Sequence, residues 1–116
     1  VGISVYLTQG GHTALVNQHV LVSMDFKNLD QQVVRGQIEL PQGVEFFSKQ
    51  YPEIAAQRTL DFDGGVFEQG QFPFLVKTTE KGTKVIKVKF YNSQNQVVAE
   101  RSYKIKVKNP TEGVIL

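Results

Sequence analysis

Apolar and polar residues alternate with a period of two along most of the chain, and no amphipathic helical stretch is long enough to compete with that rhythm. Ile3, Val5 and Leu7 share one face of the segment 3–8, which Gly10 and Gly11 end with a turn. From His19 to Asn28, Val20, Val22, Met24 and Phe26 face one way and Leu21, Ser23, Asp25 and Lys27 the other, the signature of a half-buried strand. Asn28 to Gln31 reads as a turn. In the following strand Val34, Ile38 and Leu40 share a face, with Gly36 as a bulge or a point of close packing. Pro41-Gln42-Gly43 breaks that strand before the short apolar run Val44 to Phe47. Residues 48–57, with Pro52 and mixed polarity, predict a crossing between sheets with one helical turn at Glu53 to Gln57.

Arg58 to Phe62 resumes the alternation through Leu60 and Phe62, and Asp63-Gly64-Gly65 is a turn signal. Phe72, Phe74 and Val76 line the inner side of the next strand, where Pro73 points to a sheet edge. From Thr83 to Tyr91, Lys84 opens a face shared with Ile86, Val88 and Phe90, whereas Val85, Lys87, Lys89 and Tyr91 look outward. Ser93-Gln94-Asn95-Gln96 joins this strand to the last, in which Val97, Ala99, Tyr103, Ile105 and Val107 form the apolar set. That hairpin register sets Lys89 opposite Glu100. The expected fold is all-β, an immunoglobulin-like two-sheet β-sandwich of seven to nine strands over residues 1–109, with 110–116 as a C-terminal tail or linker.

The size fits one core: 116 residues, 41% of them hydrophobic, with eight Phe and four Tyr against one Met and no Trp. The absence of Cys excludes disulfides, zinc–thiolate sites and thiol nucleophiles from this segment. It also removes the Cys and Trp hallmarks of antibody domains. No apolar run approaches the roughly 20 residues that span a bilayer. The start at Val1 suggests a segment of a longer precursor, so any signal peptide or membrane anchor is expected outside it.

The net charge of +2 is unevenly placed: residues 1–60 carry four Lys or Arg against five Asp or Glu, and residues 61–116 carry nine against six. Alternation gathers Lys87, Lys89, Lys104, Lys106 and Lys108 on the outer face of the last two strands. These five ammonium groups are the candidate surface for a polyanion or a protein partner. Lysines on exposed strands also keep β-proteins soluble and block edge pairing, the commoner role. Without exposed aromatic and Arg side chains interleaved, the stripe argues against nucleic acid.

Other constellations are weaker. His12 and His19 lack the spacing of a metal pair. Asp61-Phe62-Asp63-Gly64 has the opening of a calcium loop without its later ligands, so an Asp-Gly turn is the simpler reading. The serines lie in no nucleophile motif and the glycines cradle no phosphate, so no catalytic residue and no cofactor are expected. Arg101 interrupts an apolar face, and a packed stem with its head in water explains it.

The run Val22-Ser-Met-Asp-Phe-Lys-Asn-Leu-Asp30, followed by Gly36-Gln-Ile-Glu-Leu-Pro-Gln-Gly-Val-Glu-Phe-Phe-Ser48, resembles bacterial immunoglobulin-like domains of the cell-adhesion-related (CARDB-like) type. The pattern Leu-Pro-x-Gly-Val-x-Phe falls on Leu40, Pro41, Gly43, Val44 and Phe46. Gly82-Thr-Lys-Val-Ile-Lys-Val-Lys-Phe-Tyr91 is similar to a late strand of those domains, so the likeness covers roughly residues 20–108. The resemblance implies a periplasmic, cell-surface or secreted module of a multidomain protein, acting as spacer, adhesion or assembly unit on a protein partner or a neighbouring domain of its own chain. Membrane attachment is expected only through segments outside this chain. Two alternatives accompany it: a carbohydrate- or ligand-binding sandwich using Tyr6, Tyr51 and Tyr91, and the sensory domain of a membrane-anchored regulator.

Overall fold

The computed structural model describes residues 2–7, 13–27 and 32–109, with side-chain surroundings described for residues 13–26 and 32–109. The turns expected at Gly10-Gly11 and at Asn28–Gln31, His12, and the tail 110–116 lie outside the described residues. Among the described residues nine strands form in chain order: β1 (Gly2–Leu7), β2 (Thr13–Leu15), β3 (His19–Lys27), β4 (Arg35–Glu39), β5 (Val44–Phe46), β6 (Thr59–Asp63), β7 (Gln71–Thr78), β8 (Gly82–Tyr91) and β9 (Val97–Lys108). They build two sheets, β1-β3-β7-β5 and β2-β9-β8-β4-β6. The protein is an all-β immunoglobulin-like sandwich, with a four-stranded sheet facing one extended by β6 beyond the β4 edge.

Val20, Val22, Met24, Val76, Ile38, Ile86, Val88, Phe90 and Ile105, contributed by the inner faces of both sheets, are all essentially buried. In the backbone register Ile3, Val5 and Leu7 stand opposite Phe26, Met24 and Val22. Ser23, on the other face of β3, is also buried, because the Gln71 side-chain amide lies over it and donates to its hydroxyl at 2.8 Å.

Every connection from β1 to β8 crosses between the sheets, and three of these crossings rest on identifiable residues. Between β2 and β3, Asn17 takes a left-handed conformation (φ 66°), and the buried Thr78 hydroxyl donates to the Leu15 carbonyl at 2.5 Å while the Gln18 N–H points at it from 3.3 Å. Thr78 thus ties the turn to β7. Between β5 and β6 the expected helical turn is a 3₁₀ helix at Pro52–Ala56, begun by a proline whose missing N–H costs nothing at that position. Between β6 and β7 the expected Asp63-Gly64-Gly65 turn is instead a short α-helix, α1 (Gly64–Gln69), closed by Gly70 at φ 77°. Val66 and Phe67 on α1 pack against the core, and that burial turns the Asp-Gly signal into a helix start rather than a reversal.

Two other expectations are corrected. Val34 is 44% exposed and Val33 takes the buried place, since β4 begins only at Arg35 and period two does not extend back to residue 34. Val97 is 50% exposed, because the register shifts between Phe90 and Tyr91: Ala99 stays opposite Phe90, while Val97 faces Tyr91 on the outer side. The extra residue, Val98, is a β-bulge that reverses the alternation. The segment from Thr13 to Gln18 holds a strand too short for its period to be seen, and β2 pairs in parallel with β9.

Gly36 is the expected point of close packing. It lies opposite Phe62, and a Cβ built on it would stand 2.3 Å from the Phe62 ring. The ring thereby joins an aromatic group with Phe26, Phe67, Phe72 and Phe90 at centroid distances of 5.3 to 6.0 Å.

Candidate functional site

Strand order turns the outer face of the five-stranded sheet into a graded polar surface. Side chains there stand in rows across β9, β8, β4 and β6: Lys106 beside Thr83, Lys104 beside Val85, then Ser102, Lys87, Glu39 and Thr59, and next Glu100, Lys89, Gln37 and Asp61. A further row sets Tyr91 beside Arg35 and Asp63. Lysine dominates one side of this face and aspartate the other.

The five candidate lysines do share that face, as alternation requires, but they are not equivalent. Lys104, Lys106 and Lys108 follow one another along β9, with Lys104 and Lys106 exposed and Lys108 half-buried. Lys87 is exposed on β8. Among the described residues, none of these four has a carboxylate within salt-bridge distance. Lys89 differs. It stands opposite Glu100 in the register, as expected, yet its ammonium pairs with Glu39 on β4 at 3.0 Å. The hydrogen bond to Glu39 and the charge of that carboxylate hold Lys89 above the ordinary lysine pKa of 10.5. The Lys89–Glu100 ion pair gives way to one across β8 and β4, because Lys89 has a neighbouring strand on each side.

At the other side, Arg35 organises the surface. Its guanidinium lies 4.1 Å from the centre of the Tyr91 ring, donates to the Asn95 side chain at 2.5 Å and reaches Asp61 at 3.5 Å. Gln37 donates to the same Asp61 oxygen at 3.0 Å. The Asn92 side-chain oxygen accepts the backbone N–H groups of Gln94 and Gln96, which holds the β8–β9 loop in place to present Asn95.

The remaining candidates are placed separately. Asp61 is engaged by Arg35 and Gln37, and Asp63 immediately precedes α1 with no side-chain cap bond. Among the described residues, no three metal-ligating side chains come together. His19 is exposed and stacks on Phe47 with ring centres 4.1 Å apart. The proposed tyrosines do not converge: Tyr51 stands out beside the 3₁₀ helix, Tyr91 is covered by Arg35, and the Tyr6 side chain lies outside the described residues. Arg101 is half-buried and donates to the Glu100 carbonyl at 2.8 Å.

Sequence reasoning missed Arg35, Glu39 and Arg58. Alternation around Ile38 placed Glu39 outward, but only the order of strands reveals Lys89 beside it. Arg58 gave no signal at all. Its guanidinium gathers the carbonyls of Leu40, Pro41 and Val44, the last at 2.7 Å, and so clamps the turn between β4 and β5.

No protein-family model matches the chain, and no curated protein matches it. Among the described residues, no helix is long and apolar enough to cross a membrane.

Proposed function

We propose that this sandwich is a non-catalytic protein-interaction module of a larger extracytoplasmic bacterial protein, and that it meets an acidic partner surface through the lysines of β9. The observation that carries the reading is the row Lys104, Lys106 and Lys108, borne on one long strand and, among the described residues, within salt-bridge distance of no carboxylate. Unpaired like charges in a row repel one another, so an acidic surface laid against them gains attraction and also removes that repulsion. Lys89, already paired with Glu39, marks the boundary of this surface. The resemblance of the Leu40-Pro41-x-Gly43-Val44-x-Phe46 run to CARDB-like domains supports an adhesion, spacer or assembly role in a periplasmic or surface-exposed chain.

Lysine-directed cross-linking in intact producing cells, with fractionation of the same cells, tests the reading. The expected result is recovery outside the cytoplasm, with Lys104 and Lys106 joined to another protein or to another domain of the same chain. Cytoplasmic recovery with cross-links only inside the sandwich overturns it.

A further inference from the structure

We propose that the free edge of β6 receives an extended segment of a partner protein as a sixth strand, and that this segment alternates apolar and basic residues. The inference rests on the reading of the domain as an interaction module but uses the opposite side of the sheet from the lysines.

The backbone supplies the first part of the case. The Leu40 N–H bonds to the Arg58 carbonyl at 2.9 Å, which fixes the alternation along the β4–β6 ladder. Even-numbered residues of β6 turn their N–H and C=O groups toward β4, so the N–H groups of Thr59, Asp61 and Asp63 point away from the sheet. Among the described residues, no strand pairs with that side of β6. The corresponding edge of the facing sheet is closed. Beyond β5, the odd-numbered residues of β7 direct their groups outward, and there Pro73 has no N–H to offer.

Side chains supply the second part. Beside β6 a cleft of about 320 Å³ opens between the sheets, with Leu60, Phe62, Val66 and Phe72 along it and Asp61, Asp63 and Arg35 at its rim, where two carboxylates outnumber the one guanidinium. Leu60, Val66 and Phe72 are only half-buried. A strand added to β6 would alternate its side chains in step with Leu60 and Phe62 on the inside and with Thr59, Asp61 and Asp63 on the outside. Its inner residues therefore enter an apolar cleft, and its outer residues stand beside carboxylates. Asp63 has no ion-pair partner among the described residues, and Asp61 retains 59% of its side-chain exposure despite Arg35.

The same carboxylates disfavour a second copy of this chain as the occupant. Antiparallel pairing of two β6 edges centred on Asp61 sets Asp61 against Asp61, and like charges directly opposite destabilise a strand pair. A basic strand meets no such opposition.

The test is an NMR titration of the domain at low salt with acetyl-Thr-Lys-Val-Lys-Val-Lys-Thr-amide and with the peptide carrying Glu in place of Lys. The basic peptide is expected to bind at least roughly tenfold more tightly, the sum of two or three cross-strand charge contacts and their reversal. It should also protect the amides of Thr59, Asp61 and Asp63 from hydrogen exchange. Asp63→Lys, at a position that makes no cap bond, should reverse the preference between the peptides. Asp61→Pro, which removes an outward N–H together with the carboxylate that Arg35 and Gln37 bond to, should abolish binding while thermal unfolding shows the fold retained, whereas Asp61→Asn, which keeps the N–H, should only weaken it. Equal response to both peptides, or shifts confined to residues away from β6, overturns the proposal. So does concentration-dependent protection of β6 without peptide, which would make a second copy the occupant. Loss of peptide binding with the Lys104 and Lys106 cross-links intact refutes this inference alone, whereas loss of both refutes the module reading.

Discussion

β5 and β6 are consecutive in the chain and lie at the edges of opposite sheets, yet one is clamped at its start and the other left open. Beside β5, the Val44 N–H goes to the Pro41 carbonyl, the Val44 carbonyl goes to Arg58, and the Gly43 carbonyl accepts from Thr79. The domain uses an arginine and a left-handed glycine (φ 89° at Gly43) to satisfy three backbone groups at the start of β5. β6 is longer, keeps one side of its ladder turned to solvent and carries carboxylates instead of a clamp. Covering an edge and charging it are two ways of preventing indiscriminate strand pairing. They differ in what they leave behind: a covered edge is finished, and a charged one can still be matched by the opposite charge.

The difference can be broken from either side. Replacing Phe62 by Ala should cost about 3–5 kcal/mol in denaturant unfolding, since it removes the ring that fills the space over Gly36 and links β6 to the aromatic core. The β6 amides should then exchange faster than those of β5. Arg58→Met keeps the stem but leaves the Leu40, Pro41 and Val44 carbonyls without their donor, and should cost roughly 2–3 kcal/mol. Here the faster exchange should appear on the β5 side, and equal exchange on both sides would remove the contrast. Gly36→Ala should cost about 1–3 kcal/mol by driving a methyl into the Phe62 ring. In a Phe62→Ala background the same change should lose most of that cost, and an additive double mutant would refute the close-packing account.

The smallest effect belongs to the polar surface inside β6. Because Glu39 raises the folded-state pKa of Lys89, this pair stabilises the fold fully below the unfolded value near 10.5 and loses its contribution as pH rises through the folded value. Glu39→Gln should bring the Lys89 amine, followed by NMR, back toward its ordinary pKa and flatten that alkaline dependence. An unchanged titration would show that Glu100, not Glu39, is the working partner.

Much of the sandwich is legible because burial on one face imposes alternation. β3, β7 and β8 declare their inner residues at every second position, and the turn breakers around Pro41 and Gly43 delimit β5. What escapes follows from two physical causes. A period needs length, so the three residues of β2 and the bulge at Val98 leave no trace in it. Interactions across strands that are distant in sequence depend on sheet order, which alternation does not encode. The lysine face could be drawn in advance because both of its strands belong to one hairpin. Glu39 beside Lys89, Arg58 on the Val44 carbonyl and the cleft beside β6 could not, since each joins segments brought together only by the crossings.

The parallel pairing of β2 with β9 also has a mechanical meaning. Thr13, Ala14 and Leu15 run alongside Lys106, Val107 and Lys108 in the same direction, and the Val16 N–H bonds to the Lys108 carbonyl at 2.9 Å. Tension entering ahead of β2 and leaving after β9 pulls these two strands past each other along their length. Their hydrogen bonds, perpendicular to that pull, are loaded together rather than peeled one at a time. In a chain that transmits force, this short ladder would act as a latch loaded in shear, behind the β1–β3 ladder that precedes it.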